Sequence, residues 1–124
     1  MFILSIRDGF SAAHRIQGKA GPCEELHGHN FAVEVSFGGQ RLDSRGLLVD
    51  FRVLKGYVRA VLSRLDHRYL NEIPYFRERA SSSEYIALYI FEEMERLVQN
   101  EGVNVLEVKV WESENSCASY RREA

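Results

Sequence analysis

The chain is poor in the features that mark several protein classes. It has only two cysteines, Cys23 and Cys117, in 124 residues. That is too few for the disulfide framework of a small secreted domain, and a reduced pair is expected. No apolar run approaches the roughly 20 residues that span a bilayer. The N-terminus carries no basic-then-apolar leader, so a soluble cytoplasmic protein with no membrane partner is expected. There is no basic stripe or cluster and the net charge is −2, which speaks against nucleic acid as a partner. No internal repeat, low-complexity tract or linker divides the sequence. What remains is an ordinary globular composition, 45% hydrophobic and 27% charged, over a length that makes residues 1–124 a single domain.

The chain is organised around Cys23-Glu24-Glu25-Leu26-His27-Gly28-His29. Upstream, residues 1–14 alternate. Phe2, Leu4, Ile6, Phe10, Ala12 and His14 fall on one parity, with Asp8 the exception, which is the pattern of a half-buried strand. Gly18, Gly21 and Pro22 mark residues 15–25 as a loop. Residues 27–37 alternate again: His27, His29, Phe31, Val33, Val35 and Phe37 share a face before Gly38-Gly39 breaks the run. A short extended piece, Leu47-Leu48-Val49, precedes Asp50, a candidate helix cap. Leu54, Val58, Val61, Leu62 and Leu65 then give helical spacing over 51–65, with Asn71 and Pro74 as stop signals beyond.

A second helix is expected from near Ser81, where Ser81 and Glu84 have the spacing of a capping box. Its stripe is Ile86, Ile90, Met94, Leu97 and Val98, and Gly102 ends it. Residues 103–112, with Leu106, Val108, Val110 and Glu112 on one parity, and residues 116–122 read as closing strands. The order strand, strand, helix, helix, strand, strand predicts an α+β fold, with two helices on one face of a mainly antiparallel four-stranded sheet. So small a sheet cannot close into a barrel alone and leaves two edges unpaired, so a homo-oligomer is expected.

His27 and His29 point to the same side of a strand, and His14 ends the other strand on its apolar parity. Three neutral imidazoles form a zinc set at about 2.0–2.1 Å and leave one position open for catalysis, although manganese, iron and nickel also suit imidazole. Cys23, four residues before His27, reaches the same pocket. It is either a nucleophile or base beside the metal, or a fourth ligand that closes the site. The remaining histidine, His67, follows Asp66 at a helix end. A polar helix terminus would explain that pair on its own. An acid–base role requires the backbone to have left the helix, since sequence neighbours on a helix do not face each other. Glu112 ends an apolar strand face, where a carboxylate is costly unless paired. A ligand with two adjacent N–H donors, such as a pterin or guanine edge, would pair it. Trp111, on the opposite parity, reads as packing.

Phe10-Ser11-Ala12-Ala13-His14, Cys23-x-x-x-His27-Gly28-His29-Asn30, Val49-Asp50-Phe51, Leu65-Asp66-His67, Ser82-Ser83-Glu84 and Trp111-Glu112 together resemble the 6-pyruvoyl-tetrahydropterin synthase/6-carboxy-tetrahydropterin synthase family over nearly the whole length. The cysteine–histidine motif combined with the distant Leu-Asp-His carries the likeness. The resemblance implies the tunnelling fold, an oligomeric barrel of trimers that stack into hexamers, and sites at subunit interfaces. It implies zinc on His14, His27 and His29, with Cys23 as the proton-abstracting thiolate and Asp66 and His67 as the acid–base dyad. Glu112 would anchor the pterin ring of 7,8-dihydroneopterin triphosphate.

Ser82, Ser83 and Glu84 are implied as substrate contacts. The family, however, begins its second helix with Asn-Pro-Thr-Ser/Ala-Glu-Asn, where this chain has Ala80-Ser81-Ser82-Ser83-Glu84-Tyr85. The three residues between Cys23 and His27 resemble the bacterial 6-carboxy branch of queuosine biosynthesis, whose products are 6-carboxy-5,6,7,8-tetrahydropterin, acetaldehyde and triphosphate. Pyruvoyl-forming relatives tend to a longer gap, and a folate-route branch has glutamate in place of the cysteine. A non-catalytic domain with a closed Cys-His₃ zinc site is the rival from another class, and it leaves Asp66, His67 and Glu112 without a task. Charge alone nominates Arg15, Lys19, Arg77 and Arg79 for the triphosphate tail.

Overall fold

The described residues of the computed structural model are 1–16 and 27–123, with residue 27 described by its backbone alone. Cys23 and Lys19 lie outside them. Strands β1 (Phe2–His14) and β2 (His27–Gly39) pair antiparallel along their whole length, from Phe2 opposite Gly39 to His14 opposite His27. Helix α1 (Phe51–Ser63), strand β3 (Arg68–Tyr69), helix α2 (Pro74–Arg77) and helix α3 (Ser83–Leu97) follow, then β4 (Asn104–Ser113) and β5 (Ser116–Tyr120). The sheet order is β3-β1-β2-β4-β5. The four expected antiparallel strands are present, and β3 adds a fifth, parallel to β1 through Ala12–Arg68 and Ala13–Tyr69. At two residues, β3 is too short to show an alternation in sequence. It forms because the His67 N–H donates to Ser11 O at 2.6 Å and lays the chain beside β1.

Alternation drives the layering. Ile6, Phe10, Phe31, Val33, Val35, Phe37, Val108 and Val110 are buried on one sheet face. Leu54, Val58, Val61 and Leu62 of α1, with Ile86, Ala87, Ile90, Phe91 and Met94 of α3, complete the core. Fully burying each large side chain contributes about 1.5–3 kcal/mol. The β2–β4 register shifts between Ser36 and Phe37, so Val105 enters the core and Leu106 is only partly covered.

Asp50 caps α1 as expected, its Oδ1 accepting the Arg52 N–H at 2.8 Å. Helix α3 starts one residue later than its spacing predicts. Ser82 is the cap and accepts the Tyr85 N–H at 3.2 Å, while Ser81 is fully buried and engaged elsewhere. Three consecutive serines offer three caps, and only tertiary partners choose among them. Leu47–Val49 forms no strand, because Asp43 Oδ1 gathers the N–H groups of Arg45 and Leu47 into a turn that Gly46 completes at φ +81°. Cys117 is a free, exposed thiol. No helix among the described residues is long and apolar enough to cross a membrane.

Candidate active site

Three neighbouring strands deliver side chains to one rim of the sheet. His14 ends β1, and His29 faces Ala12 across the β1–β2 pair, so the two imidazoles stand diagonally on one face. On the far side of β2, Ala32 faces Trp111, and Glu112 follows one step on, with the parity of buried Val110. The β4–β5 register shifts between Trp111 and Ser113. Glu112 therefore sits at a bulge, a device that re-aims a side chain at the end of a ladder.

Glu112 Oε1 lies 2.9 Å from His14 Nε2 and 3.1 Å from His29 Nε2. One donor atom from each of the three residues falls within 4.8 Å of the others. The two imidazole rings are 5.3 Å apart and inclined at 76°, with Phe31 edge-on to both. His14 is fully buried, and its Nδ1 is 2.6 Å from Ser81 O. A carbonyl only accepts, so Nδ1 carries a proton and Nε2 is the end of the ring turned to Glu112. An ionised carboxylate also only accepts. The Nε2–Oε1 contact therefore needs a proton between the two atoms, and a divalent cation on Nε2 would take that proton's place. The donor set, two imidazoles and a carboxylate, suits zinc and other divalent ions. His27 stands opposite His14 in the register, and its side chain lies outside the described residues. Glu112, expected as a substrate anchor, lies against His14 and His29, two of the expected metal ligands.

Asp66 and His67 meet the geometric condition placed on them. Asp66 N–H still bonds to Leu62 O at 2.9 Å, and His67 then turns to φ +58°, a left-handed backbone uncommon outside glycine. The turn brings His67 Nδ1 to 3.2 Å from Asp66 Oδ1. The same oxygen accepts the Ser11 N–H at 2.9 Å. That bond, assisted by the positive charges of His67 and Arg59, holds the Asp66 carboxyl below the usual carboxylate range. Arg59 reaches from Asp8, at 3.0 Å, toward Asp66 Oδ2, at 3.9 Å. The His67 side chain is 83% exposed and borders a cleft of about 490 Å³ with Ser11, His29, Asn30 and Arg68. A neighbouring cleft of about 520 Å³ is lined by Arg7, Asn30, Trp111 and Glu112. Asn30 borders both, so the Asp66–His67 pair and the imidazole–carboxylate cluster open on the same rim.

Of the other expected contacts, Ser82 is used as a helix cap and Glu84 is exposed. Ser83 Oγ is buried with no hydrogen-bond partner among the described residues. Arg77 lines two clefts beside Asn71, one shared with Arg68 and the other with Arg15 and Arg79. Arg79 lies over the Tyr75 ring at 4.2 Å. Sequence reasoning missed the Ser81 carbonyl and the bridge made by Arg59, and it read Asn71 only as a stop signal. The run of polar residues before α3, with its missing proline, was the one available hint.

The sequence model for 6-pyruvoyl tetrahydropterin synthase matches residues 3–123. A protein of Archaeoglobus fulgidus provisionally named a 6-carboxy-5,6,7,8-tetrahydropterin synthase is 40% identical over 120 residues, covering 97% of this chain and 96% of that protein. The 6-pyruvoyl tetrahydrobiopterin synthase of Homo sapiens is 33% identical over 135 residues, covering 97% and 91%. The solved 6-pyruvoyl tetrahydropterin synthase of Caenorhabditis elegans shares the fold with a TM-score of 0.85 at 29% identity, covering 99% of this chain and 98% of that one. Matched from end to end in sequence and in fold, the chain belongs to the 6-pyruvoyl tetrahydropterin synthase family, whose tunnelling fold it shares.

Proposed function

We propose that this chain is a zinc-dependent synthase that converts 7,8-dihydroneopterin triphosphate to 6-carboxy-5,6,7,8-tetrahydropterin, releasing acetaldehyde and triphosphate, on the route to queuosine and related 7-deazapurines. The observation that carries this reading is the convergence of His14, His29 and Glu112 within 4.8 Å on a rim shared with the Asp66–His67 pair.

His14, His27 and His29 would hold zinc, which when bound supplies Lewis acidity to the hydroxyls of the substrate side chain. Glu112, beside the same imidazoles, would accept the paired N–H groups of the pterin ring. Cys23, as thiolate, takes and returns protons at the side-chain carbons. Asp66 is a carboxylate at neutral pH, and the Ser11 N–H stabilises its charge further. It therefore orients His67 through Nδ1 and leaves Nε2 to move the proton. Ser82, Ser83 and Glu84 remain substrate contacts only as the resemblance implies, since Ser82 caps α3 and Ser83 Oγ is buried. Arg68, which borders the His67 cleft, and Arg77, in the adjoining cleft that Arg68 shares, meet the triphosphate tail with Arg15. The outer strands β3 and β5 pair with further copies in a cytoplasmic homo-oligomer, a trimer or a dimer of trimers. A monomer by light scattering at micromolar concentration would contradict that assembly.

The Cys23-x-x-x-His27 spacing and the 40% identical relative favour the 6-carboxy branch. The human relative at 33% supports the second reading, a pyruvoyl-forming synthase that keeps the whole side chain, with a folate-route synthase as its variant. A non-catalytic zinc-stabilised domain would leave the Asp66–His67 geometry without a purpose. Incubating the zinc-loaded protein with 7,8-dihydroneopterin triphosphate separates these readings. Acetaldehyde with 6-carboxytetrahydropterin supports the first, a pyruvoyl product without acetaldehyde supports the second, and no release of triphosphate contradicts both.

A further inference from the structure

We infer that Asn71 and Ser81 are positioning residues for His14: together they clamp the chain on either side of its ring and fix which nitrogen faces the metal. The inference rests on the reading of His14 as a metal ligand. The β1–β3 ladder stops at Ala13–Tyr69. Beyond it, the Asn71 side chain does what a paired strand would do. Its Nδ2 donates to Arg15 O at 2.7 Å, and its Oδ1 accepts the Arg15 N–H at 2.9 Å. These opposite demands settle the amide orientation, since a flipped amide would face donor with donor and acceptor with acceptor.

Ser81 closes the ring of contacts. Its hydroxyl is placed to donate to Asn71 Oδ1 at 2.9 Å, with Arg15 O at 3.2 Å as the alternative. Its carbonyl accepts the His14 Nδ1 proton at 2.6 Å. Both His14 and Ser81 are fully buried, so water does not compete for the bond from His14 Nδ1 to the Ser81 carbonyl. Outer partners of this kind orient a ligating imidazole, and their loss typically weakens metal affinity by about 10–100-fold.

The test uses the full chain and the variants N71A, S81A and H14A. Zinc affinity is measured by competition with a chromophoric chelator, and melting of the metal-free protein is followed separately. NMR follows the His14 Nδ1 proton, assigned by its absence in H14A. N71A is expected to bind zinc about tenfold or more weakly and to lose protection of that proton. S81A, which keeps the carbonyl, is expected to show a smaller loss of the same sign while remaining folded. A lowered melting temperature with wild-type zinc affinity and a protected proton would assign the network to stability alone and overturn the inference. If the wild type binds no zinc but protects the Nδ1 proton in a way that depends on Asn71, the metal reading fails and the clamp on His14 stands. If both variants bind zinc as the wild type does, the clamp fails and the metal reading stands.

Discussion

Asp66 and Ser11 are joined by a bond that crosses from the end of α1 to β1: the Ser11 N–H donates to Asp66 Oδ1 at 2.9 Å. One residue later the His67 N–H donates back to Ser11 O at 2.6 Å. The pair pins the turn that carries His67, and it stabilises the charge of Asp66. A carboxyl whose folded value is depressed adds stability that is present above its unfolded value of about 3.9 and is lost as pH falls through the lower folded value. Asp66→Asn is therefore expected to flatten the acid limb of a stability–pH curve below about pH 4. Chemical denaturation at several acidic pH values checks this, and an unchanged acid limb would contradict it.

His67 faces solvent and is tied to the fold mainly through its backbone, so replacing it should cost turnover rather than structure. His67→Ala is expected to lower kcat by about 100-fold to 10,000-fold and to leave zinc content unchanged. Steady-state kinetics beside metal analysis of the same preparation is the measurement. Loss of zinc would place His67 in a role that its position on the rim does not suggest.

Cys23→Ala should retain zinc and lose turnover. Metal analysis of the purified variant decides between the two roles that the sequence left open for this residue. Loss of the ion would make the sulfur a ligand.

Glu112 sits within 2.9–3.1 Å of two imidazole nitrogens yet is read as the anchor of the pterin ring. Glu112→Gln keeps its shape and removes its charge. The expected outcome is a raised KM or lost turnover, with zinc affinity within a few-fold of wild type by chelator competition. A collapse of zinc affinity would make the carboxylate a ligand instead.

Arg68→Ala and Arg77→Ala should weaken binding of the triphosphate substrate and leave binding of a dephosphorylated pterin unchanged. The difference should shrink as salt screens the charges. Competition assays with the two ligands measure it, and equal losses for both would contradict a phosphate role.

Much of the fold was legible because β1 and β2 are long and alternate almost throughout, Asp8 being the exception. Parity alone placed His14 and His29 on the apolar face, and the register then set them diagonally at one rim. Glu112 had the correct parity, but the bulge that turns it toward the imidazoles has no local signature. The clamp was invisible for a different reason. Asn71 bonds a residue 56 positions away and Ser81 one 67 positions away, and no periodicity reports on contacts of that range. The choice of Ser82 over Ser81 as cap depends on the same distant partners. β3 was missed because two residues cannot alternate.

Zinc-edge X-ray absorption on the resting, substrate-free protein tests the metal-centre reading most directly. Nitrogen scatterers at about 2.0–2.1 Å with an oxygen completing the shell and no sulfur is the predicted result. A sulfur at about 2.3 Å, or a protein that takes up no stoichiometric zinc, would contradict it.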